Sequence, residues 1–323
     1  MITKIGKTQK DVAEAAALIK RGELVAFPTE TVYGLGGNAL DADASRKIYG
    51  VKGRPSDNPL IVHLTKWQDA EKIAYTTEQA KRLYDAFCPG PLTMILKKRA
   101  VVPDATTGGR QTVAIRFPSH PVARALIDQA GVPIAAPSAN KSKHVSPTAA
   151  AHVYEDLAGE IPMILEGGDA EVGIESTIVD LTAEEPTVLR PGAITAEEIR
   201  AVLGKGEYYR GEIKEALAPG MKYKHYSPKV PCFLASRESL ESALERLRKQ
   251  GLRPVLITTE SEAEKYAPSL SLGSTAKEAQ HRIYGALREA EKYDVAVIED
   301  LSDRREYYAA MDRIKKATGG NRL

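Results

Sequence analysis

Two cationic side chains that could bind an anion, Lys52 and Arg54, stand one residue apart in the segment Lys52-Gly53-Arg54-Pro55-Ser56-Asp57-Asn58-Pro59. Two prolines stiffen this segment, and the two cations face the same way only if the backbone between them is extended, which is the conformation we predict. Such a pair can clamp a phosphate or a carboxylate. A solvated basic turn is the ordinary explanation of an isolated Lys-x-Arg, so the prediction depends on the residues elsewhere in the chain.

Further donors follow apolar segments in other parts of the sequence. Arg116 lies near the end of the apolar run 112–117, and Arg190 follows another short apolar run. A surface ion pair is the ordinary explanation of each cation alone, but four cations at predicted strand ends favour an anionic ligand. The loop after the predicted strand 133–136 adds neutral donors that suit phosphate oxygens. These donors are Ser138, Asn140, Ser142, Ser146 and Thr148.

A segment rich in hydroxyls and then in glycines, Pro28-Thr29-Glu30-Thr31-Val32-Tyr33-Gly34-Leu35-Gly36-Gly37, follows the predicted strand 24–27. Hydroxyls at a strand end suit ligand binding, and glycines permit close approach of a backbone or a ligand. Gly34-x-Gly36-x-x-Ala39 formally matches the dinucleotide-binding motif, but that motif begins directly at a strand end and this one does not. The chain also lacks a Gly-x-x-x-x-Gly-Lys-Ser/Thr phosphate loop, so any triphosphate must be held in another way.

Histidines and cysteines give no sign of a metal site or of a covalent nucleophile. His63 closes an apolar segment, where a hydrogen-bonded and half-buried histidine is the ordinary case. His144 and His152 have no carboxylate at a spacing that indicates a metal site. The spacing of Cys88 and Cys232 suits neither zinc nor a redox pair. We therefore predict no protein-ligated metal and no covalent enzyme intermediate.

Composition limits the class of protein. The chain has 323 residues, of which 43% are hydrophobic and 27% charged, and its net charge is only +2. This composition is typical of a folded, soluble α/β protein with two domains, and the small net charge gives no chain-wide attraction to nucleic acid. We find no signal peptide and no apolar stretch long enough to cross a membrane, so we predict a cytoplasmic protein.

The elements that must position these residues alternate only loosely between helix and strand. Capped helices are predicted at 8–22 and 77–87, and strands at 24–27, 60–64 and 112–117. We therefore predict an α/β fold with a twisted mixed sheet and helices in a first domain, at 1–206. A linker rich in Gly, Tyr, Lys and Pro follows at 207–229. Regular strand and helix alternation then predicts a small, Rossmann-like, parallel α/β domain at 230–323.

With these residues collected, the chain resembles the YrdC-like threonylcarbamoyl-AMP synthases in their long, two-domain form. Short motifs carry the resemblance in order over roughly the first 200 residues, which makes it far more specific than any one motif. They are Pro28-Thr29-Glu30-Thr31-x-Tyr33-Gly34-Leu35, Lys52-x-Arg54-Pro55, Asn58-Pro59-Leu60, Pro89-Gly90-Pro91, Arg116-x-Pro118, Pro137-Ser138-Ala139-Asn140, Glu175-Ser176-Thr177 and Arg190-Pro191-Gly192. The linker motif Lys224-His225-Tyr226-Ser227-Pro228 resembles the long form. Lys143 departs from the family pattern, which has a glycine there.

The resemblance implies a nucleotidyltransferase that converts L-threonine, bicarbonate or CO2, and ATP into threonylcarbamoyl-adenylate and pyrophosphate. The product serves the N6-threonylcarbamoylation of adenosine 37 in tRNA. By resemblance, Lys52 and Arg54 are catalytic, and the L-threonine pocket consists of Thr31, His63, Arg116, Ala136 and Ser176, with Arg116 on the carboxylate. The implied nucleotide-binding residues are Arg54, Asn58, Thr112, Ser138, Asn140, Ser146, Arg190 and Tyr226.

The resemblance also implies partners. Mg2+ is expected to arrive with ATP, held by phosphate oxygens and water rather than by protein ligands. The adenylate passes to a tRNA threonylcarbamoyltransferase complex in a transient encounter, without a membrane and without a requirement for direct tRNA binding. Residues 222–228, including Tyr226, are expected to close over the site and to shield the carbamate and the mixed anhydride from water.

Two other functions remain to be compared with this one. An RNA-binding module could use the same basic surface to hold tRNA or double-stranded RNA, with steep salt dependence and no ATP turnover. The carbamoyltransferases of hydrogenase maturation contain a related domain, but they need cysteine-rich zinc motifs that two cysteines cannot supply.

Overall fold

The computed structural model describes residues 1–211 and 226–323, which cluster into two compact units. Among the described residues, the first unit contains 1–142, 147–171 and 175–211, and the second contains 143–146, 172–174 and 226–323. Most of the predicted linker, at 212–225, therefore lies outside the described residues.

The first unit combines a large sheet with helices. Its helices are α1 (Gln9–Lys20), α2 (Ala42–Lys52), α3 (Trp67–Ile73), α4 (Glu78–Phe87), α5 (Asp104–Thr107), α6 (Pro121–Ala130), α7 (Ala150–Leu157) and α8 (Ala196–Leu203). Its strands are β1 (Lys4–Gly6), β2 (Val25–Phe27), β3 (Gly34–Asn38), β4 (Ile61–His63), β5 (Ala74–Tyr75), β6 (Leu92–Lys98), β7 (Thr112–Arg116), β8 (Ile134–Ala135), β9 (Met163–Leu165), β10 (Thr177–Asp180), β11 (Thr187–Arg190) and β12 (Glu207–Tyr208).

The sheet of the first unit is mixed, as the sequence predicts. Its strand order is β1-β9-β2-β3-β8-β4-β7-β6-β10-β11-β12, with β5 paired to β6. The β4–β7 and β6–β10 pairs are parallel, whereas β6–β7 and β2–β3 are antiparallel. One of the apolar cores that pack against this sheet is made by α1 and α6 together with Phe27 and Ile134.

Local capping signals place helix α1 as the sequence predicts. The Thr8 hydroxyl accepts a hydrogen bond from the Asp11 backbone N–H at 3.3 Å, and the Asp11 carboxylate accepts one from the Thr8 backbone N–H at 2.9 Å. This reciprocal capping box satisfies two N–H groups that the first helical turn leaves unpaired. Helix α4 begins after Thr77, whose hydroxyl accepts a hydrogen bond from the Ala80 backbone N–H at 3.1 Å.

Residues 34–38 form strand β3, where Gly36 is required because a Cβ atom would lie 2.7 Å from the Phe27 ring and 2.8 Å from Ile134. One expectation from the sequence is wrong at the backbone level. The segment from Lys52 to Arg54 is not extended. Helix α2 continues through Lys52 and ends at Gly53, whose φ of +61° is the left-handed cap that favours glycine.

The second unit contains a parallel sheet, which confirms the predicted Rossmann-like architecture. Its strands are β13 (Cys232–Ala235), β14 (Pro254–Thr258), β15 (Ser269–Ser271) and β16 (Val295–Glu299), in the spatial order β13-β16-β14-β15. Every pair in this sheet is parallel. Its helices are α9 (Leu240–Lys249), α10 (Glu260–Ala263), α11 (Ala276–Glu289) and α12 (Tyr308–Thr318).

Within residues 1–211 and 226–323, none of the helices of either unit combines the length and the apolar character that crossing a bilayer requires.

Candidate active site

A row of paired residues, most of them polar, crosses adjacent strands of the first unit. The strand registers pair His63 on β4 with Arg116 on β7, and Arg116 with Thr93 on β6. The row continues from Thr93 to Ile178 on β10 and from Ile178 to Arg190 on β11. Because paired residues of neighbouring strands point to the same face, this register brings residues from positions 63 to 190 to one surface. We call it the strand row.

Arg116 is buried in the strand row and is incompletely paired. Its Nη2 lies 2.9 Å from Oε1 of Glu30 and donates a hydrogen bond to the Thr29 hydroxyl at 3.3 Å. Both charged side chains of this pair are only 5% exposed. Nevertheless, Arg116 Nε and Glu30 Oε1 are buried without a hydrogen-bond partner among the described residues. Such groups are costly to leave unsatisfied and mark a place where a ligand can bind.

The Thr29 side chain organises the turn after β2. Its hydroxyl donates to the Val32 carbonyl at 2.6 Å and lies 2.9 Å from the Thr31 hydroxyl. It also accepts from the Thr31 backbone N–H at 3.2 Å. Glu30, within this turn, accepts a hydrogen bond from the Ser119 backbone N–H at 3.2 Å. The turn therefore holds Glu30 beside Arg116 and buries Thr31 completely.

His63 is a buried and neutral member of the strand row. Its Nδ1 lies 3.1 Å from the Ile61 carbonyl oxygen, and its ring meets the edge of Phe27 at 5.9 Å between ring centres. Burial, together with the nearby charge of Arg116, lowers the pKa of His63 to about 3. The imidazole therefore remains uncharged at neutral pH and adds no second positive charge beside Arg116.

Arg190 lies at the far end of the strand row, where it binds Ser176, the residue just before β10. The guanidinium of Arg190 donates to the Ser176 carbonyl at 3.0 Å and to the Ser176 hydroxyl at 3.1 Å. That hydroxyl lies 2.7 Å from the hydroxyl of Thr93. Both Ser176 and Thr93 are fully buried, so the Thr93 hydroxyl links the β6 and β10 strands of the site.

Lys52 holds the 138–142 loop. Its ammonium donates to the backbone carbonyls of Ser138 and Asn140, and its own carbonyl accepts from the Ser142 backbone N–H at 2.8 Å. The Ser138 hydroxyl donates to Asn140 Oδ1 at 2.6 Å. Burial, and then the charge of Arg54, lowers the pKa of Lys52 well below its usual value. The Lys52 ammonium is thus engaged with carbonyl oxygens, and the anion clamp of Lys52 and Arg54 stays a prediction.

Arg54 closes its own loop through backbone carbonyls. Its Nε donates to the Asn58 carbonyl at 3.1 Å and its Nη2 to the Pro59 carbonyl at 3.0 Å. The Asn58 side chain is 1% exposed, and its Oδ1 has no hydrogen-bond partner in the described parts of the chain. This amide oxygen could accept a hydrogen bond from a ligand.

The remaining predicted site residues lie in different places. Ala136 follows β8, and its backbone N–H donates to the Ile61 carbonyl at 2.8 Å, beside His63. Thr112 begins β7, at the opposite end of that strand from Arg116. Ser146 and Tyr226 belong to the second unit. The ring of Tyr226 packs there on Tyr284, with 5.3 Å between ring centres.

The predicted lid falls partly outside the described residues. The lid predicted at 222–228 lies outside the described residues from 222 to 225, and Tyr226 is buried within the second unit. Direct contacts of Ser146 and Tyr226 with a nucleotide therefore stay predictions. Within the described residues, no three His, Cys, Asp or Glu side chains come close enough to hold a metal ion.

Sequence reasoning missed Glu30, Thr29 and Thr93 as members of the site. Glu30 and Thr29 belong to the Pro-Thr-Glu-Thr motif, but nothing local in the sequence pairs that motif with Arg116, 86 residues later. Thr93 lies in an apolar strand and becomes recognisable only once the β6 and β7 register is known.

Cys88 borders the Arg116 and Glu30 pair. Burial raises the pKa of the Cys88 thiol to about 12, with smaller opposing contributions from the charges of Arg116 and Glu30. A thiol with such a pKa is a poor nucleophile at neutral pH.

Known families match the two parts of the chain in order. A model of the Sua5, YciO and YrdC family, described as "Telomere recombination", matches residues 17–192. A model described as "Threonylcarbamoyl-AMP synthase, C-terminal domain" matches residues 194–319. Together the two models extend over nearly the whole chain.

Individual relatives match over almost their full length. A threonylcarbamoyl-AMP synthase from Pyrococcus abyssi is 42% identical and covers 94% of this chain and 93% of its own length. One from Bacillus subtilis is 42% identical and covers 98% and 95%, respectively. The crystal structure of P. abyssi Sua5 complexed with L-threonine has a TM-score of 0.93 and 39% identity, and it covers 100% of both chains.

Proposed function

Because this chain belongs to the threonylcarbamoyl-AMP synthase family, we propose that its strand row binds L-threonine and that the Lys52, Arg54 and 138–142 region binds ATP. Its activity is that of a threonylcarbamoyl-AMP synthase, a nucleotidyltransferase that forms an adenylate. The residue roles and substrates below belong to this proposal. The observation that carries it is the incompletely paired Arg116 and Glu30, buried beside His63 and Thr31.

The proposed reaction has two bond-forming steps. The neutral amine of L-threonine attacks CO2, supplied as CO2 or bicarbonate, and forms a carbamate while a proton leaves the nitrogen. A carbamate oxygen then attacks the α-phosphorus of ATP, and the bond from that phosphorus to the pyrophosphate breaks. Neither step needs an enzyme nucleophile, so positioning and charge neutralisation can supply most of the catalysis.

An α-amino acid carries two groups that complement the unsatisfied atoms of Arg116 and Glu30. Its carboxylate can accept from Arg116 Nε, and its ammonium can donate to Glu30 Oε1, both of which lack hydrogen bonds in this structure. Once the substrate carboxylate neutralises Arg116, Glu30 is the carboxylate proposed to receive the proton that the amine must lose. Thr31, His63, Ala136 and Ser176 shape the rest of the pocket, and neutral His63 avoids competition for the carboxylate.

The phosphates are proposed to lie at the Lys52 and Arg54 side. Arg54 donates to the Asn58 and Pro59 carbonyls, and Lys52 fixes the 138–142 loop through the carbonyls of Ser138 and Asn140. Within the first unit, the proposed nucleotide-binding residues are Ser138, Asn140, Asn58, Arg190 and Thr112. Lys52 is proposed to act as a positioning residue for the loop, and Arg54 to supply positive charge near the phosphates.

Mg2+ enters this proposal as part of the ATP substrate. The described residues contain no cluster of carboxylate, histidine or cysteine ligands that would hold the ion by themselves. This arrangement fits Mg2+ that is bound by phosphate oxygens and water, as is usual for this ion with nucleotides. The adenylate would then pass to a tRNA threonylcarbamoyltransferase complex that modifies adenosine 37.

The RNA-binding alternative is not favoured. The family of the chain is that of an adenylate-forming enzyme, and the net charge of +2 provides little general attraction to RNA. A filter-binding titration with tRNA at two salt concentrations, in parallel with an ATP turnover assay, separates the two functions. Turnover without RNA supports the enzyme, and tight RNA binding without turnover supports the alternative.

Substrate identity can be tested directly with the purified protein, ATP and Mg2+, radiolabelled bicarbonate and each amino acid in turn. We expect labelled adenylate and pyrophosphate with L-threonine, and the signal should require bicarbonate. L-Serine and L-valine are informative competitors because each lacks one part of the threonine side chain. Equal rates with all amino acids would contradict a threonine pocket, and pyrophosphate release without bicarbonate would contradict the carbamate step.

A further inference from the structure

The parallel sheet of the second unit has a point where the chain leaves neighbouring strands in opposite directions. From β14 the chain passes through α10 to β15, on one side. From the adjacent β16 it continues to α12, which packs against β13 on the other side. In parallel α/β sheets, such divergence opens a crevice at the carboxyl ends of the two strands, and this crevice is where ligands bind.

Three polar residues occupy the carboxyl ends of these two strands. Thr258 ends β14, Thr259 follows it, and Glu299 ends β16, and their exposures are 0%, 4% and 1%. Glu299 Oε2 accepts hydrogen bonds from the Thr258 hydroxyl, from the Thr259 backbone N–H at 3.3 Å and from the Thr259 hydroxyl at 3.2 Å. Oε1 of the same carboxylate accepts none from the described residues.

Glu299 also lacks a cationic partner, in contrast to other buried carboxylates of the chain. Glu262, at the same edge of the sheet and 3% exposed, is paired with Arg237 and, at 2.9 Å, with Lys265. Glu30 in the first unit is paired with Arg116. No ion pair of Glu299 occurs within residues 1–211 and 226–323. A buried carboxylate without a cation is unfavourable, and Oε1, which is not fully buried, remains able to accept from a ligand.

We propose that Glu299 is the anchor of a second ligand site, which binds a small molecule with a primary ammonium group. The ammonium would supply the missing charge and donate to Oε1, while Thr258 and Thr259 hold Oε2 in place. A phosphate ligand would not fit, because it would place negative charge beside an unpaired carboxylate. A bound metal ion would not fit either, because no cluster of three metal-binding side chains occurs in the described parts of the chain.

Two sources of a primary ammonium can be distinguished, an amino acid and a simple amine. The test uses the full-length protein and follows the backbone amide resonance of Thr259, because that N–H donates to Glu299 and reports on this site alone. L-Threonine and n-propylammonium are titrated separately, and tetramethylammonium, which has the charge but no N–H, is the control ligand. We expect a saturable shift with at least one primary ammonium compound and none with tetramethylammonium.

Two variants test whether the Glu299 carboxylate itself binds the ammonium compound. Glu299→Gln keeps the shape and an oxygen for the threonine donors but replaces the free acceptor by an N–H donor, so affinity should fall on the order of 10–100-fold. Glu262→Gln, a carboxylate of the same edge that already has cationic partners, should bind as the wild type does. The proposal is overturned if neither primary ammonium compound shifts Thr259 up to tens of millimolar, if tetramethylammonium shifts it equally, or if Glu299→Gln retains wild-type affinity.

This site is independent of the proposed catalytic function, because all its residues belong to the second unit. If Glu299→Gln fails to fold, the comparison of n-propylammonium with tetramethylammonium on the wild-type protein still decides the proposal. Loss of adenylate formation in Arg116 variants would leave the titration unchanged, so failure of one proposal can be distinguished from failure of the other.

Discussion

The two sides of the candidate active site contain buried cations in opposite states. On the side of the strand row, Arg116 has a charged partner in Glu30, yet one nitrogen of Arg116 and one oxygen of Glu30 make no hydrogen bond. On the loop side, backbone carbonyls accept hydrogen bonds from both Lys52 and Arg54. The strand row thus has bonds to offer a ligand, whereas the loop side already uses its cations to fix the backbone.

This difference implies different consequences when a cation is removed. Loss of Arg116 deprives a ligand of its partner and also leaves a buried carboxylate alone, so both activity and stability should suffer. Loss of Lys52 removes the donor to the Ser138 and Asn140 carbonyls without stranding a buried charge, so the main effect should be on the shape of the loop. Variants of Arg116, Lys52 and Arg54 test this distinction.

Arg116→Met should cause the largest loss. We expect kcat/KM for L-threonine to fall roughly 10³-fold, because the carboxylate loses a buried, charged donor. The free energy of unfolding should also fall by about 3–5 kcal/mol, since Glu30 is left without its partner. Steady-state pyrophosphate release and urea denaturation measure the two effects separately.

The double variant Arg116→Met/Glu30→Gln separates pairing from substrate binding. Removal of both charges should restore much of the lost stability, because no uncompensated ion remains, but it should not restore activity. Recovery of activity in the double variant would show that Arg116 does not bind the substrate carboxylate.

Lys52→Ala and Arg54→Ala should each reduce pyrophosphate release that depends on L-threonine and bicarbonate, by about 10²–10³-fold. If Lys52 acts through the loop, its variant should also raise KM for ATP, which a purely structural loss of stability would not do. Lys141→Met is the matched control, because Lys141 is a partly exposed neighbour whose ammonium donates to the Val51 carbonyl at 2.7 Å and pairs with Glu160. Similar losses in the Lys141 variant would contradict a special role for Lys52.

His63 makes the stability of the strand row depend on pH. Its pKa is lowered to about 3 in the folded protein, whereas an unfolded histidine has a pKa near 6.5. Between these values the unfolded chain binds a proton that the folded protein does not, so the free energy of unfolding should fall as the pH decreases below about 6.5, by about 1.4 kcal/mol per pH unit. Above that pH the effect is absent.

Other groups also titrate in this range, so the comparison must use His63→Asn. Denaturation of the variant and of the wild type at pH 7.5 and at pH 5 should give a shallower pH dependence for the variant. Parallel dependences would contradict the burial of a neutral imidazole at this position.

Lys143→Gly should produce the smallest effect, a gain in stability of up to about 1 kcal/mol. Lys143 has a φ of +75°, in the left-handed region that glycine occupies without strain, and the family pattern has a glycine there. Lys141→Gly, two residues earlier, is the control and should not be stabilising. Thermal denaturation measures both, and a destabilised Lys143→Gly would show that the lysine side chain contributes more than the strain costs.

The sequence predicts the fold well wherever the signal is local. Thr8 and Asp11 form the capping box expected of them, and the strand and helix alternation after the linker indicates the parallel sheet of the second unit. A local signal for the end of α2 was also present, because a lysine followed by Gly53 is typical of a helix C-terminus. The prediction of an extended backbone from Lys52 to Arg54 does not take this helix-end signal into account.

The pairing of the site could not be predicted in the same way. The strand row depends on the registers of β4, β7, β6, β10 and β11, and registers are fixed by tertiary packing rather than by short motifs. The partnership of Glu30 with Arg116 likewise brings together the ends of β2 and β7, which β3, β8 and β4 separate in the sheet. The resemblance supplied Arg116 and Ser176 as family positions, whereas Glu30 and Thr93 required coordinates.

The half-buried thiol of Cys88 provides a built-in reporter of local opening. With its pKa raised to about 12, almost none of it is thiolate at neutral pH, so an alkylating reagent modifies it slowly unless the surrounding structure opens. In a Cys232→Ser background, the labelling rate of Cys88 would measure the frequency of that opening next to Arg116 and Glu30. Slower labelling with L-threonine would show that the amino acid closes this region without any need to observe turnover.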